Sequence, residues 1–157
     1  MTLDELLARE GIRATMARYT TSGDRLREEA FAATFAEDGI LESEGVADAD
    51  KFRFEGRAAI RGWLHRWVDL PEGVEATHHA SFVRHHLATC DIELTGPDTA
   101  RARTYWVAWT DIGPDHSGYY LDSFRRVGTE WLIAHRKVRP DWRSPDSLFD
   151  GAVENSR

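Results

Sequence analysis

The sequence predicts a single α+β domain, because its helical and strand patterns come in separate runs instead of alternating. Apolar residues recur three and four apart as far as Val68, and two apart from Thr77 onward. Turns bearing Gly and Pro divide the second part into four long strands in hairpin succession, which calls for an antiparallel sheet.

Thr2 followed by Glu5 forms a capping box that opens the first helix, in which Ile12, Met16, Tyr19 and Thr20 share one face. Thr20-Thr21-Ser22-Gly23 reads as its break. A second helix carries Leu26, Ala30, Phe31, Thr34 and Phe35 on one stripe and ends at Gly39. Ile40 to Ser43 and Phe52 to Phe54 read as short strands, with an acidic loop from Glu44 to Lys51 between them. Gly56 introduces a third helix with Ile60, Trp63, Leu64, Trp67 and Val68 in register, and Pro71 stops it. The four long strands follow as Thr77–Leu94, with a bend inside it, Thr99–Ile112, Gly118–Val127 and Trp131–Val138. Their turns are Thr95-Gly96-Pro97-Asp98, Gly113-Pro114-Asp115 and Gly128-Thr129, and Pro140 opens a polar tail.

A chain of 157 residues fits one core, and 41% hydrophobic with 30% charged residues excludes a disordered chain. The net charge of −7 argues against a nucleic-acid partner or an anionic membrane surface. Arg101, Arg103, Arg125, Arg126, Arg136 and Lys137 are also scattered over separate strands and form no basic stripe. Cys90 has no second cysteine to pair with and reads as a small core hydrophobe. The start MTLDELLARE has neither the basic flank nor the apolar run of a targeting segment, so a soluble, cytoplasmic protein is expected. The aromatics, six Trp, seven Phe and four Tyr, either fill a large core or line a cavity.

Along Thr99–Ile112, Arg101, Arg103, Tyr105, Val107 and Trp109 share one face, and Ala102, Thr104, Trp106, Ala108 and Thr110 the other. The uncharged second face should look inward. Its small residues around one Trp leave room where a packed core would carry Leu, Ile and Val.

Tyr19 and Asp24, at the junction of the first two helices, and the histidines His78, His79, His85 and His86 are the residues with chemistry to offer. A carboxylate that accepts a bond from one imidazole nitrogen fixes the tautomer and makes the other nitrogen a general base. A Tyr hydroxyl can donate to a carbonyl or leaving oxygen. On spacing alone, Asp24 can equally be the N-cap of the second helix and Tyr19 a core aromatic. A metal site is not expected: neighbouring strand residues face opposite ways, and His79 and His85 would stand about 20 Å apart. No GxSxG, GxGxxG, phosphate loop or HExxH occurs.

Several stretches, in this order, resemble the SnoaL-like proteins of the nuclear-transport-factor-like superfamily: Ala17-Arg18-Tyr19-Thr20-Thr21-Ser22-Gly23-Asp24-Arg25, Phe31 to Gly39, Phe54-Glu55-Gly56-Arg57-Ala58-Ala59-Ile60 and Arg84-His85-His86-Leu87. Phe124-Arg125-Arg126, Trp131-Leu132-Ile133-Ala134 and Val138-Arg139-Pro140-Asp141-Trp142 complete a resemblance over residues 5–142. It implies a cone-shaped, curved, mostly antiparallel mixed sheet with three helices on its concave face, enclosing a pocket. Residues 1–142 would form this domain and 143–157 a C-terminal tail. The resemblance points to scytalone dehydratase, bile acid dehydratases and a dehydrochlorinase of chlorinated cyclohexanes, cofactor-free lyases that use a His–Asp pair. By position it implies Tyr19, Asp24 and His85 as catalytic residues, no metal, and Trp106 and Tyr120 as pocket lining. Ala108 and Thr110 stand where some dehydratases carry an auxiliary acid or His, so no such group is expected there. Strict alternation would turn His86 inward, whereas the resemblance selects His85; a β-bulge near Leu87 reconciles the two, and His86 is retained as a substrate-binding residue.

The expected function is a cofactor-independent lyase or isomerase acting on a small cyclic hydrophobic metabolite. The alternatives are a non-catalytic small subunit, like the beta subunit of aromatic-ring hydroxylating dioxygenases, and a ligand-binding module. A homodimer or homotrimer is expected, with Tyr105 and Trp109 suited to the interface.

Overall fold

Thr2 and Glu5 start the first helix as their spacing requires. In the computed structural model, which describes residues 1–45, 51–65, 67 and 80–149, the Glu5 amide donates to Thr2 Oγ1 at 3.2 Å and the Thr2 amide to Glu5 Oε2 at 2.7 Å. Two N–H groups that a helix start leaves open are thereby satisfied. Helix α1 runs Leu3–Gly23 and buries Ile12, Thr15, Met16, Tyr19 and Thr20. It continues through the stretch read as a break, because the Thr21 and Ser22 hydroxyls bond back to the carbonyls of Ala17 (2.9 Å) and Arg18 (2.5 Å) instead of competing with the helix.

The second helix is shorter than its stripe suggests. Helix α2 is Glu28–Ala32, and Phe35 already opens strand β1, Phe35–Ser43. Phe31 and Phe35 stand at helical spacing, yet one is buried from a helix and the other from a strand. Gly39 therefore ends no helix. It lies in a register break of β1, where a Cβ would stand 2.9 Å from the Ala36 carbonyl oxygen. Strand β2 is Phe52–Glu55, and Gly56, at φ +82°, turns the chain into α3, Arg57–His65, which buries Ile60 and Leu64. Val68, Pro71 and the proposed strand start at Thr77 lie outside the described residues.

Four long strands follow: β3 Arg84–Gly96, β4 Thr99–Thr110, β5 Gly113–Val127 and β6 Glu130–Arg143. Gly113-Pro114-Asp115 belongs to β5 and not to the turn. Strand β6 runs past Pro140 to Arg143 instead of dissolving into a tail there. A bulge between Ser117 and Gly118 tolerates the proline, and Gly118 faces it because a Cβ would collide with the Arg139 carbonyl oxygen at 2.1 Å.

The six strands form one curved, open sheet in the order β2-β1-β6-β5-β4-β3. Among the described residues only β1 and β6 pair in parallel, and the other pairings are antiparallel. The three helices cover one face, on which Ala100, Ala102, Thr104, Trp106, Ala108 and Thr110 of β4 are all buried. The opposite face carries Tyr105 (45% exposed) and Trp109 (42%). Face selection on β4 is thus as the alternation predicts. Cys90 packs against this core, its Sγ 3.7 Å from Met16 Sδ. Among the described residues no helix is long and apolar enough to cross a membrane.

Candidate active site

Asp24 is not an N-cap. It is the C-cap residue of α1, and Arg27 precedes α2. A carboxylate at that end of a helix faces the negative pole of the peptide dipoles, so helix stability does not account for it. What offsets it is one residue on β3: the His85 amide donates to Asp24 Oδ2 at 3.0 Å and His85 Nδ1 to Oδ1 at 2.6 Å. Both oxygens are engaged, and the carboxylate is 7% exposed against 27% for the imidazole. The proton is thereby held on Nδ1, leaving Nε2 as the basic position. Nε2 has no hydrogen-bond partner among the described residues, on a ring that is only half-buried.

His85 reaches this position through a bulge. It pairs with Ala108, and Leu87 with Trp106, but Cys90 pairs with Thr104, so β3 holds one residue more than β4 between those rungs. His85, Leu87, Cys90, Ile92 and Leu94 consequently share the inner face. His86 points outward, exposed, with its ring 6.1 Å from that of Trp109. The structure does not bring it to the site.

Beside the pair lies a ladder of aromatic rings. Trp106 stands edge-on to His85 with ring centres 5.8 Å apart, Tyr120 stacks on Trp106 at 5.6 Å, and Tyr19 meets Tyr120 at 5.9 Å. Burial, the strongest influence on both phenols, raises the Tyr19 and Tyr120 pKa values, and Asp24 and Asp122 add to it. Both therefore stay protonated and able to donate.

Under the two tyrosines lies one of the bases that the sequence shows only as scattered over the strands. Arg136 is fully buried, bonded through Nε to Asp122 Oδ1 (2.8 Å) and through Nη2 to Oδ2 (2.6 Å). Its guanidinium carbon sits 4.1 Å from the Tyr19 ring centre and 4.0 Å from that of Tyr120. Burial opposes the charge, but Asp122 outweighs it and raises the Arg136 pKa further. Arg136 Nη1 and Trp106 Nε1 are buried with no partner among the described residues. An unpaired buried donor costs about 1–3 kcal/mol, which a ligand oxygen would recover.

A second carboxylate–imidazole pair was also missed. Asp115 is the extra residue of a β5 bulge: Ala108 pairs with His116 and Trp109 with Pro114. The bulge lets neighbours that a regular strand would separate meet side by side. His116 Nδ1 donates to Asp115 Oδ1 at 2.7 Å. The fully buried carboxylate also accepts from Thr110 Oγ1 (3.1 Å), Ser147 Oγ (2.6 Å) and the Leu148 amide (2.9 Å). Burial alone would raise the Asp115 pKa; the bonds from Ser147, His116 and Leu148 outweigh it and lower it. For His116 burial dominates and lowers the pKa, against the Asp115 bond and with help from His85.

A pH dependence follows. Below about pH 6.5 the unfolded chain protonates this histidine while the folded protein declines the proton, so stability falls with pH from there to the depressed folded value. In His116→Gln the slope of melting temperature against pH should become shallower between pH 6.5 and 5, as calorimetry can read. An unchanged slope would refute the assignment.

The structure thus brings Asp24, His85, Trp106, Tyr120 and Tyr19 into one connected cluster, and leaves His86 out. His78 and His79 lie outside the described residues.

This architecture is the nuclear-transport-factor-like, or cystatin-like, α+β fold. A protein of that description from Novosphingobium aromaticivorans is 26% identical over 91% of this chain and 88% of its own, with a TM-score of 0.70. The chain belongs to the SnoaL-like family: the model of the SnoaL-like domain matches residues 4–137. A candidate scytalone dehydratase from Novosphingobium aromaticivorans, 20% identical, aligns over the whole of both chains with a TM-score of 0.72. A hexachlorocyclohexane dehydrochlorinase from Novosphingobium barchaimii, 15% identical, aligns over 94% of this chain and 96% of its own, at 0.71. At those identities the likeness establishes the fold. No curated protein matches by sequence.

Proposed function

We propose that this protein is a cofactor-independent lyase or isomerase that removes a carbon-bound proton from a small, largely apolar cyclic molecule bearing a carbonyl or hydroxyl. The observation that carries this reading is the 2.6 Å bond from His85 Nδ1 to Asp24, which leaves Nε2 free to act as the base. Trp106, which stands edge-on to His85 and stacks on Tyr120, would supply the apolar surface against which the ring of the molecule rests. The ligand oxygen, which gains charge as the proton leaves, would be met by donors: the Tyr19 hydroxyl, Trp106 Nε1 and Arg136 Nη1. Two structural neighbours bear the names of eliminations, a dehydratase and a dehydrochlorinase, in keeping with proton removal as the first step.

The test is hydrogen exchange at carbon. Incubated in deuterium oxide with a panel of cyclic ketones and hydroxyketones, the protein should introduce deuterium beside the oxygenated carbon, read by mass spectrometry. Asp24→Asn, which no longer holds the imidazole tautomer, should lower that rate by about 100-fold or more. An Asn variant as fast as the parent would end the proposal.

We infer further that the outer sheet face joins two or more copies of the chain, because Tyr105 and Trp109 stand exposed on it. Trp109→Glu should shift the sedimentation velocity of the protein to that of a monomer. A monomeric parent protein would refute the inference.

A further inference from the structure

The geometry points to His116 as a second ligand-contacting imidazole, whose Nε2 accepts a hydrogen bond from a ligand hydroxyl. This rests on the proposed proton-abstraction site and narrows its substrate class. His85, Ala108 and His116 occupy one rung across β3, β4 and β5, since His85 pairs with Ala108 and Ala108 with His116. The methyl group of Ala108 between them leaves the two rings free to lean together, and their centres lie 6.1 Å apart. Both stand edge-on to the same indole, His85 at 5.8 Å and His116 at 5.7 Å from Trp106.

The two imidazoles are wired alike. Each gives its Nδ1 proton to a carboxylate that accepts at least one further bond, Asp24 from the His85 amide and Asp115 from Thr110, Ser147 and the Leu148 amide. His116 Nε2, like that of His85, has no hydrogen-bond partner among the described residues; the His116 side chain is 17% exposed, with the Phe149 ring edge-on at 5.0 Å. The lowered pKa of His116 keeps that nitrogen an acceptor near neutral pH. A site with two bare imidazole nitrogens asks its ligand for two hydrogens. One is the carbon-bound proton that goes to His85. The other is an O–H, a few ångströms away on the same ring system, that stays on oxygen and binds His116. The substrate class is therefore a hydroxylated cyclic molecule, phenolic or alcoholic. A hydrocarbon, a halide or a simple ketone would leave His116 unsatisfied.

Two probes of similar shape test this by calorimetric titration: 2-naphthol, which can donate, and 2-methoxynaphthalene, which cannot. The parent protein should bind 2-naphthol about 10-fold more tightly, and His116→Phe should abolish the difference. Equal affinities in the parent, or an advantage that survives in His116→Phe, overturn the role of His116 while leaving the apolar site standing. If neither probe binds, the proposed site falls and this inference with it. A measurement on the unaltered chain guards against a variant that does not fold. With 15N-labelled histidine, 2-naphthol should move the His116 Nε2 resonance upfield and 2-methoxynaphthalene should not. A shift confined to His85, or no shift, overturns the assignment.

Discussion

His85→Ala should lower kcat/KM by two to four orders of magnitude on any substrate the protein turns over. That is the range a positioned general base contributes, about 3–5 kcal/mol of barrier. The loss should fall on kcat more than on KM, because the variant removes the proposed base and leaves the aromatic cluster of Trp106, Tyr120 and Tyr19 in place. The variant should stay folded. The imidazole is partly exposed, and the remaining peptide N–H still donates to Asp24 Oδ2. Added imidazole, entering the space left by the side chain, should restore part of the rate. Steady-state kinetics on His85→Ala with and without imidazole checks both points, and parent-like turnover in the variant would remove His85 from the mechanism.

The largest effect on stability should come from Asp122→Ala. Arg136 would keep its charge in a fully buried position with no carboxylate against it, a loss of about 3–5 kcal/mol. Measured against a total stability of about 5–15 kcal/mol for an ordinary domain, this leaves a protein near the edge of folding. Replacing both partners, Asp122→Leu with Arg136→Met, should restore most of the loss or exceed it, because an apolar pair has no charge to desolvate. Urea unfolding of the single and double variants separates the two cases. A single variant within about 1 kcal/mol of the parent would mean that the ion pair counts for little.

What could be read from the sequence, and what could not, divides along the regularity of the strands. The inner face of β4 follows from alternation because β4 itself keeps a strict period of two, Ala100 to Thr110. The residues nearest the proposed chemistry are those that bulges move off that period. The extra residue between Leu87 and Cys90 puts His85, and not His86, on the inner face together with Cys90, Ile92 and Leu94. The extra residue at Asp115 brings a carboxylate and its own neighbour's imidazole to one side of the sheet, an arrangement that strict alternation forbids. Continued without a break from Val127 opposite Glu130, the β5–β6 hairpin would set Asp122 opposite His135; a further bulge at Ser123–Phe124 sets it opposite Arg136 instead. Backbone irregularities of this kind leave little trace in a hydrophobic pattern. In the sequence Arg136 is therefore only one of several bases scattered over the strands. Helix spacing misled at Phe31 and Phe35 for a related reason: four residues apart satisfies a helix, but it satisfies a turn into a buried strand as well. Asp24 could be named as a candidate from the resemblance, but its role as the residue that holds His85 depends on a bond spanning 61 positions of sequence.

The parallel seam between β1 and β6 has a consequence for the continuity of the sheet. The final strand is not an edge addition; it fills the gap between the earliest strand and β5. Without residues 130–143 the sheet would fall into two pieces, β1 with β2 and β3 with β4 and β5, each with a margin of peptide groups that only β6 pairs. The sheet is continuous only once β6 stands between β1 and β5.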